Sequence, residues 1–591
     1  MRAIISGALL CLCFITHTMA QTNAASLPSH PGPGPDYIVN DSVLIKTRDG
    51  AYISALMVRK AAMQKPQATI LYFTIYARPT DIKKAIEAAD RGYAGIVAYT
   101  RGKRYSPETR VAPYEYDGRD AYDVIDWIAH QSWSNQQVGM YGGSYSGFAQ
   151  WAATKQLHPA LKTIVPSAAV APGLDAPMTN NVIMTFPFSW TYYVSNNKWL
   201  DEDDYRSRKW NDLLWQWFRE GGTYRSLDTL AGRPGNRIFH SWIDHPTYDR
   251  YWQNMIPYRN EFAHINIPVL TTTGYYDGGQ IGATYYLREH LRYNPKATHY
   301  LLIGPYGHFG CQGYPDSVFN GYRIDPAANV PIHEIIYQWF DHILKGGPKP
   351  AILQDNINYQ VMGSNQWKHV PTLSAMSNDS LTLYLQPAKA GNEHELAARR
   401  PSQPDYLTQL IDFADRTTFN SYYYINNLLY DSLPINNGIV YKSAPLQTSF
   451  EITGRFSGQL SAMINKKDMD FSVVLFEQMS DGRYFYLTYF MGRASYAHGG
   501  TRRRLLKPGR KEQLPFTNTY ITSRMLHPGS RIVAIVNINK SPFEQINYGT
   551  GQEVSLESIR DAKEPLQIRW YNDSYLKIPI SRQALPAKGR G

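Results

Sequence analysis

At 591 residues the chain is too long for a single hydrophobic core, so two or three domains are expected. A composition 43% hydrophobic and 18% charged, with 45 tyrosines, is that of a folded protein and excludes a disordered one. The formal charge of +11 comes with no lysine- and arginine-rich helix beside aromatic RNA-binding motifs, which argues against nucleic acid as a partner.

In chain order, residues 1–20 read as a cleavable export signal of bacterial type. Arg2 supplies the positive start, Ala3 to Phe14 are apolar, and Ala20 precedes the expected cut. Cys11 and Cys13 fall inside it without the small preceding residue a lipid-anchoring site wants. The mature chain would then keep only Cys311 and have no internal disulfide. The protein is therefore expected to be periplasmic or secreted. No later stretch is apolar enough to span a bilayer. Residues 21–36, with Pro31, Pro33 and Pro35, read as a linker.

Tyr37 to Lys60 predicts a β-hairpin turning at Asp49-Gly50. Strands and helices then alternate: a strand over Ala68–Thr74, a helix over Asp81–Ala89, a strand over Tyr93–Tyr99, and a helix over Asp120–Gln131. Such alternation implies a mostly parallel sheet covered on both faces, with ligands at the carboxyl ends of its strands. Next comes Val138-Gly139-Met140-Tyr141-Gly142-Gly143-Ser144-Tyr145-Ser146-Gly147-Phe148, a strand, a sharp glycine turn and a helix start. A serine on such a turn is the nucleophile elbow of the α/β-hydrolases. The downstream glycine stands one residue late, and Ser146 occupies its usual place. A glycine-rich turn with a buried serine reads the same way, so later residues must decide.

Residues 180–259 break the alternation. They are helical in tendency and hold Trp190, Trp199, Trp210, Trp215, Trp217, Trp242 and Trp252. This is expected to be a helical cap over the strand ends, its tryptophans either packing the cap or walling an acyl pocket. His240 and His245 lie here without a third ligand at metal spacing and read as structural. The sheet resumes at Ile267–Thr272, which leads to Tyr275-Tyr276-Asp277-Gly278-Gly279. After a helix over Ile281–Arg292, a strand over His299–Ile303 leads to Gly304-Pro305-Tyr306-Gly307-His308. An aspartate and then a histidine thus follow the ends of successive strands. The order Ser144, Asp277, His308 is that of the α/β-hydrolase triad, and it decides for the elbow.

A helix over Pro331–Leu344 and a linker over 345–350 close this domain, expected to span 37–345. From 355 to 585 short alternating segments are separated by Gly, Asn, Asp and Pro: Asn358–Met362, Leu381–Leu385, Leu446–Ile452, Arg455–Ser461, Phe471–Glu477, Tyr484–Phe490, Arg531–Ile538 and Leu566–Tyr571. These predict an all-β sandwich of jelly-roll type. The run Thr501-Arg502-Arg503-Arg504 reads as a solvated loop rather than a phosphate site.

With these residues in place, the chain resembles the CocE/NonD hydrolases, a group that includes X-Pro dipeptidyl-peptidases, α-amino acid ester hydrolases and glutaryl acylases. The resemblance rests on Gly142–Gly147, Trp133-Ser134-Asn135, Tyr275–Gly278, Gly304–His308, Trp339-Phe340-Asp341-His342, Lys467–Phe471 and Gly529–Ile532. It implies an α/β-hydrolase core with an inserted cap and a C-terminal jelly roll. It also implies an oxyanion donor after the first core strand, which maps to Tyr76; Ile75 stands where the family has proline, and Tyr72 is the next candidate. The ester hydrolases hold their substrate's ammonium with acids. Two of those positions are Gly279 and Gln280 here, and the third falls near Met178, with Asp175 the closest acid. This argues against selection for a free α-amino group, although the cap acids Asp201 to Asp204 leave an ammonium anchor open.

The chemistry expected is hydrolysis of an ester or amide through an acyl-enzyme on Ser144. His308 serves as base, Asp277 orients it, and the Tyr145 backbone N–H and the Tyr76 hydroxyl form the oxyanion hole. No metal or cofactor is required, and the partner is a small-molecule or peptide acyl substrate. Two rivals stand beside the esterase or acylase: an X-Pro dipeptidyl-peptidase, and a catalytically silent binding protein on a hydrolase scaffold. The oligomeric state is left open.

Overall fold

The computed structural model describes residues 34–387, 393–420 and 427–582. The expected export signal lies outside them. Strands β1 (Tyr37–Lys46) and β2 (Tyr52–Lys60) form the antiparallel hairpin. There follow β3 (Gln67–Thr74), α1 (Ile82–Asp90), β4 (Ala94–Tyr99), α2 (Asp117–Ala129), β5 (Ser134–Gly143), α3 (Tyr145–Thr154) and β6 (Leu161–Ser167). The two-residue strands β7 (Met178–Thr179) and β8 (Val182–Ile183) lead into the cap, helices α4 (Phe186–Ser195), α5 (Glu202–Arg206), α6 (Lys209–Glu220), α7 (Leu227–Leu230), α8 (Arg237–Ile243) and α9 (Arg250–Gln253). The sheet continues with β9 (Val269–Tyr276), α10 (Gln280–Tyr293) and β10 (His299–Gly307). After the small hairpin β11 (Val318–Phe319) and β12 (Tyr322–Arg323) come α11 (Ile332–Lys345), β13 (Ile357–Val361) and β14 (Gln366–Val370).

The main sheet has the order β1-β2-β4-β3-β5-β6-β9-β10-β13-β14, parallel from β4 to β13. Its inner strands are buried on both faces, which explains why β3, β4 and the Val138–Tyr141 part of β5 read as largely apolar runs. Helices α2, α3 and α10 cover one face. On the other, Ile332, Ile335, Ile336, Trp339 and Phe340 of α11 pack against Val165, Leu270 and Leu302. The chain steps outward from β3 to β4 and returns on the far side of β3 as β5. That reversal opens a crevice between the ends of β3 and β5, the place where open α/β sheets take their ligands.

Two differences from the sequence reading are informative. Strand β6 is not legible because Pro166 interrupts its apolar run, yet its Pro166 pairs in register with Gly142 of β5. Asn358 to Met362, expected in the sandwich, belongs to β13, which pairs in parallel with β10. An alternating pattern gives a strand's faces but not the sheet it joins, so the expected boundary at 355 falls inside the first sheet. The second sheet begins at Asp379 and runs to Ser581. It is a largely antiparallel β-domain in which His394–Ala397 and Ile439–Ser443 pair in parallel.

The C-terminal domain is bonded to both other parts. Asn180 donates to the carbonyls of Met491 and Asn518, and Thr185 donates to that of Pro542. Gln280, at the start of α10, pairs its side-chain amide with the backbone of Ile521 in both directions, at 2.6 and 3.0 Å.

Candidate active site

Ser144 sits between β5 and α3 with φ 60° and ψ −120°, a conformation rarely adopted by a residue with a Cβ. Holding it there costs about 1–3 kcal/mol, which the surrounding bonds must offset. Its N–H donates to the Ser167 carbonyl at 3.0 Å, and its carbonyl accepts from the N–H groups of Gly147 and Phe148, each at 3.0 Å. Two glycines make the turn possible. Gly142 has φ +138°, and a Cβ on Gly147 would lie 2.8 Å from both Ala169 Cα and the Ser167 carbonyl oxygen. The late position of the downstream glycine thus follows from the place where α3 crosses the segment after β6.

Asp277 lies just past β9 and His308 just past β10, adjacent strands of the sheet. His308 Nδ1 is 2.7 Å from Asp277 Oδ1. The carboxylate is fully buried and held on every side: Oδ1 also accepts the Gly279 N–H at 2.9 Å, and Oδ2 accepts the Thr273 hydroxyl at 2.7 Å. The Cys311 thiol lies 3.7 Å from Oδ2. Burial opposes charge on the His308 ring, but the hydrogen bond and charge of Asp277 outweigh it and hold the ring above the usual histidine range. The bond to Nδ1 leaves Nε2 as the nitrogen free for proton transfer.

Tyr76 follows β3, and its hydroxyl shares a hydrogen bond with Ser144. The same hydroxyl accepts from Trp190 Nε1 at 3.0 Å. Burial pushes its pKa up to about 12 against the pull of those two bonds, so it remains a neutral donor. The other candidate, Tyr72, lies within β3 and packs against Tyr141 with ring centroids 5.3 Å apart. Tyr145 opens α3, where its backbone N–H has no acceptor within the helix. Its ring is fixed by Asp117, whose two carboxylate oxygens each lie 2.8 Å from the Tyr145 hydroxyl. Asp117 is fully buried at the start of α2 and also accepts from Thr100 at 2.9 Å. Burial pushes its pKa up to about 7, against the Tyr145 and Thr100 bonds.

Ser144, Tyr76, Tyr145, Asp277 and His308 line one cavity of about 720 Å³. Of the seven cap tryptophans, Trp190 and Trp242 reach it; Trp190 stacks on Tyr114 at 5.8 Å and on Trp242 at 5.8 Å. Trp210, Trp217 and Trp252 are buried away from it. A third wall comes from the C-terminal domain through Tyr486, Thr488, Tyr489 and Tyr520, the rings of Tyr489 and Tyr520 stacked at 4.8 Å. Tyr276, beside Asp277, donates to the Tyr486 carbonyl at 3.1 Å and ties that wall to the strand end that carries Asp277.

The remaining expectations resolve as follows. Gln280 is spent on the domain joint, with its side chain facing Ile521. Asp175 lines the cavity, 3% exposed, with Oδ1 accepting the Ala171 N–H at 2.8 Å and Oδ2 the Gly282 N–H at 2.7 Å. Asp201 caps α5 and binds Asn196 and Asn197, while Asp204 pairs with Lys209 and Arg233; neither lines the cavity. His240 bonds Asp228 at 2.8 Å, and His245 bonds Asp249 at 2.7 Å. Arg503, read as part of a solvated loop, instead pairs at 2.9 Å with the buried Asp468, which neutralises a carboxylate the fold encloses. Sequence reasoning missed Asp117 and the C-terminal tyrosines. The pair of acids Asp117 and Asp120 opening α2 was the only available signal for the first.

Comparison with known proteins bears on the family and the fold. The family description X-Pro dipeptidyl-peptidase (S15 family) matches residues 49–310, and X-Pro dipeptidyl-peptidase C-terminal non-catalytic domain matches residues 353–556. Over 557 residues the chain is 25% identical to a cocaine esterase of Rhodococcus sp., spanning 89% of this chain and 95% of that one. Among solved structures, an α-amino acid ester hydrolase aligns with TM-score 0.74 at 21% identity, over 92% of this chain and 97% of the other. An aminopeptidase from the marine sediment archaeon Thaumarchaeota archaeon aligns with TM-score 0.78 at 17% identity, over 95% and 99%. These two likenesses are of fold.

Proposed function

The chain belongs to the CocE/NonD and X-Pro dipeptidyl-peptidase S15 family, serine hydrolases of esterase or peptidase type, and from that premise we propose that it is an exported esterase for apolar acyl groups. Ser144 attacks the ester carbonyl while His308 Nε2 takes its proton. The oxyanion forms against the Tyr76 hydroxyl and the Tyr145 N–H. His308 then passes the proton to the departing alcohol, and water repeats the sequence to release the acid. Asp277 holds the imidazole tautomer and balances the imidazolium, helped by the Thr273 and Gly279 bonds that fix its own carboxylate.

What supports an esterase over a dipeptidyl-peptidase is the state of the acids in the cavity. A peptidase that removes N-terminal dipeptides must balance a substrate ammonium, and a buried charge without a partner is costly. Asp277 is committed to His308. Asp175 has a backbone N–H on each oxygen, and burial pushes its pKa well above the usual carboxylate range, so its carboxylate is already engaged by the fold and is poorly suited to balancing a buried ammonium. The remaining lining is dominated by tyrosine, tryptophan and phenylalanine. Turnover of simple acyl esters beside Ala-Pro-anilide tests this. The esters are expected to exceed the anilide by roughly 100-fold or more in kcat/KM, and an anilide hydrolysed as well as the esters would contradict it. Export is supported by Arg2, the apolar run Ala3–Phe14 and Ala20; mature protein recovered outside the cytoplasm should begin at Gln21.

A further inference from the structure

Resting on that esterase reading, we propose that Phe309 is a specificity-determining residue that holds the leaving group, and that it selects an aromatic alcohol. The argument starts from the proton. During acylation His308 must deliver a proton to the departing oxygen, so the leaving group stands against the His308 ring. Nδ1 of that ring faces Asp277, which turns Nε2 toward the cavity. Phe309 is the next residue, lines the same cavity, and has its ring centroid 5.5 Å from the His308 ring, at 72°. A group bonded to the protonated oxygen therefore meets the Phe309 ring first.

Phe309 is 75% exposed, more than any other large apolar side chain among the described residues. A loose loop does not explain this, because the backbone is pinned from inside. Gln312 Nε2 donates to the His308 carbonyl at 2.5 Å, the Cys311 thiol lies 3.5 Å from the same oxygen, and the Gln312 N–H donates to the Phe309 carbonyl at 3.1 Å. The fold thus presents an uncovered phenyl face at a fixed place beside the proton donor. Two further exposed aromatics, Phe186 at 58% and Tyr205 at 41%, line the same cavity. Gln312 places its Nε2 on the His308 carbonyl, and the surface offered is suited to an offset or edge-on aromatic ring.

The acyl-enzyme provides the test, because the leaving group is gone before deacylation begins. Benzyl and propyl esters of one acid share the same acyl-enzyme. Phe309→Ala is expected to lower kcat/KM for the benzyl ester about tenfold and for the propyl ester less than about twofold. The rate of deacylation, read by pre-steady-state burst, should be the same in variant and wild type. Phe309→Trp should keep the benzyl preference. An equal fall for both esters, a change in deacylation, or no change in either ester overturns the assignment. Failure of the esterase reading itself looks different: wild type would then hydrolyse neither ester.

Discussion

Around Ser144 the floor of the cavity is made by the ends of four parallel strands of one sheet, and nearly every polar group in it is held by another. Asp277 accepts four bonds or contacts, and Asp117 fixes Tyr145 with both oxygens. The walls come from elsewhere in the chain, the cap and the C-terminal β-domain, and they meet the cavity largely as aromatic faces. A saturated floor fixes the chemistry and tolerates little change. The aromatic wall is assembled from two separate units and touches the floor at few points, chiefly Trp190 on Tyr76 and Tyr276 on Tyr486, so changes elsewhere in it are expected to alter substrate choice more than chemistry.

If the floor works as one unit, breaking its central bond should be most damaging. Asp277→Asn would offer the His308 ring a donor in place of an acceptor and favour the wrong tautomer. Loss of kcat on the order of 10⁴ is expected, in protein that still folds. The same contact sets the pH dependence. The folded pKa of His308 is raised, so kcat/KM should climb with pH through a value above the ordinary histidine range. By linkage, the stabilising effect of protonated His308 is fully present below the unfolded histidine pKa and is lost as pH rises through the folded one. An acid limb at the ordinary histidine value would mean that the Asp277 contact does not persist in solution.

Tyr76→Phe removes one oxyanion donor and should cost about 100-fold to 1,000-fold in kcat with little change in KM. Asp117→Asn reaches the same hole indirectly, by loosening Tyr145. A fall of roughly 10-fold to 100-fold is expected, and Tyr145→Phe should give a similar fall. The double variant should be little worse than Tyr145→Phe alone, since both substitutions act on the Asp117–Tyr145 contact; additive losses would separate Asp117 from the oxyanion hole. The smallest effect belongs to the joint between floor and wall. Gln280→Ala leaves the Ile521 N–H and carbonyl without their partners and should lower unfolding stability by about 1–3 kcal/mol. A selective change toward bulky acyl esters, beyond any general loss, would show that this joint positions the tyrosine wall.

The same contrast explains what could be read from the sequence. Ser144, Asp277 and His308 were legible because each stands at the end of an apolar strand beside glycines, a local signal that chain order then confirms. Tyr76 carries no such signal and entered only through resemblance. Asp117 was hidden because its partner lies 28 residues away across two elements. Tyr486 and Tyr489 lie in a strand, and Tyr520 just before another, whose alternation gives no hint of the domain they face. Strand β13 was assigned to the wrong sheet for the same reason, since pairing partners are a long-range property. Trp190 and Trp242 stood among seven similar residues, and only the packing of the cap distinguishes the two that reach the site.

The central claim, that the floor activates Ser144, is tested most directly by labelling with a fluorophosphonate serine probe and measuring intact mass. The account predicts one adduct on the wild type and none on Ser144→Ala. No adduct on well-folded wild type, or an undiminished adduct on Ser144→Ala, would contradict it.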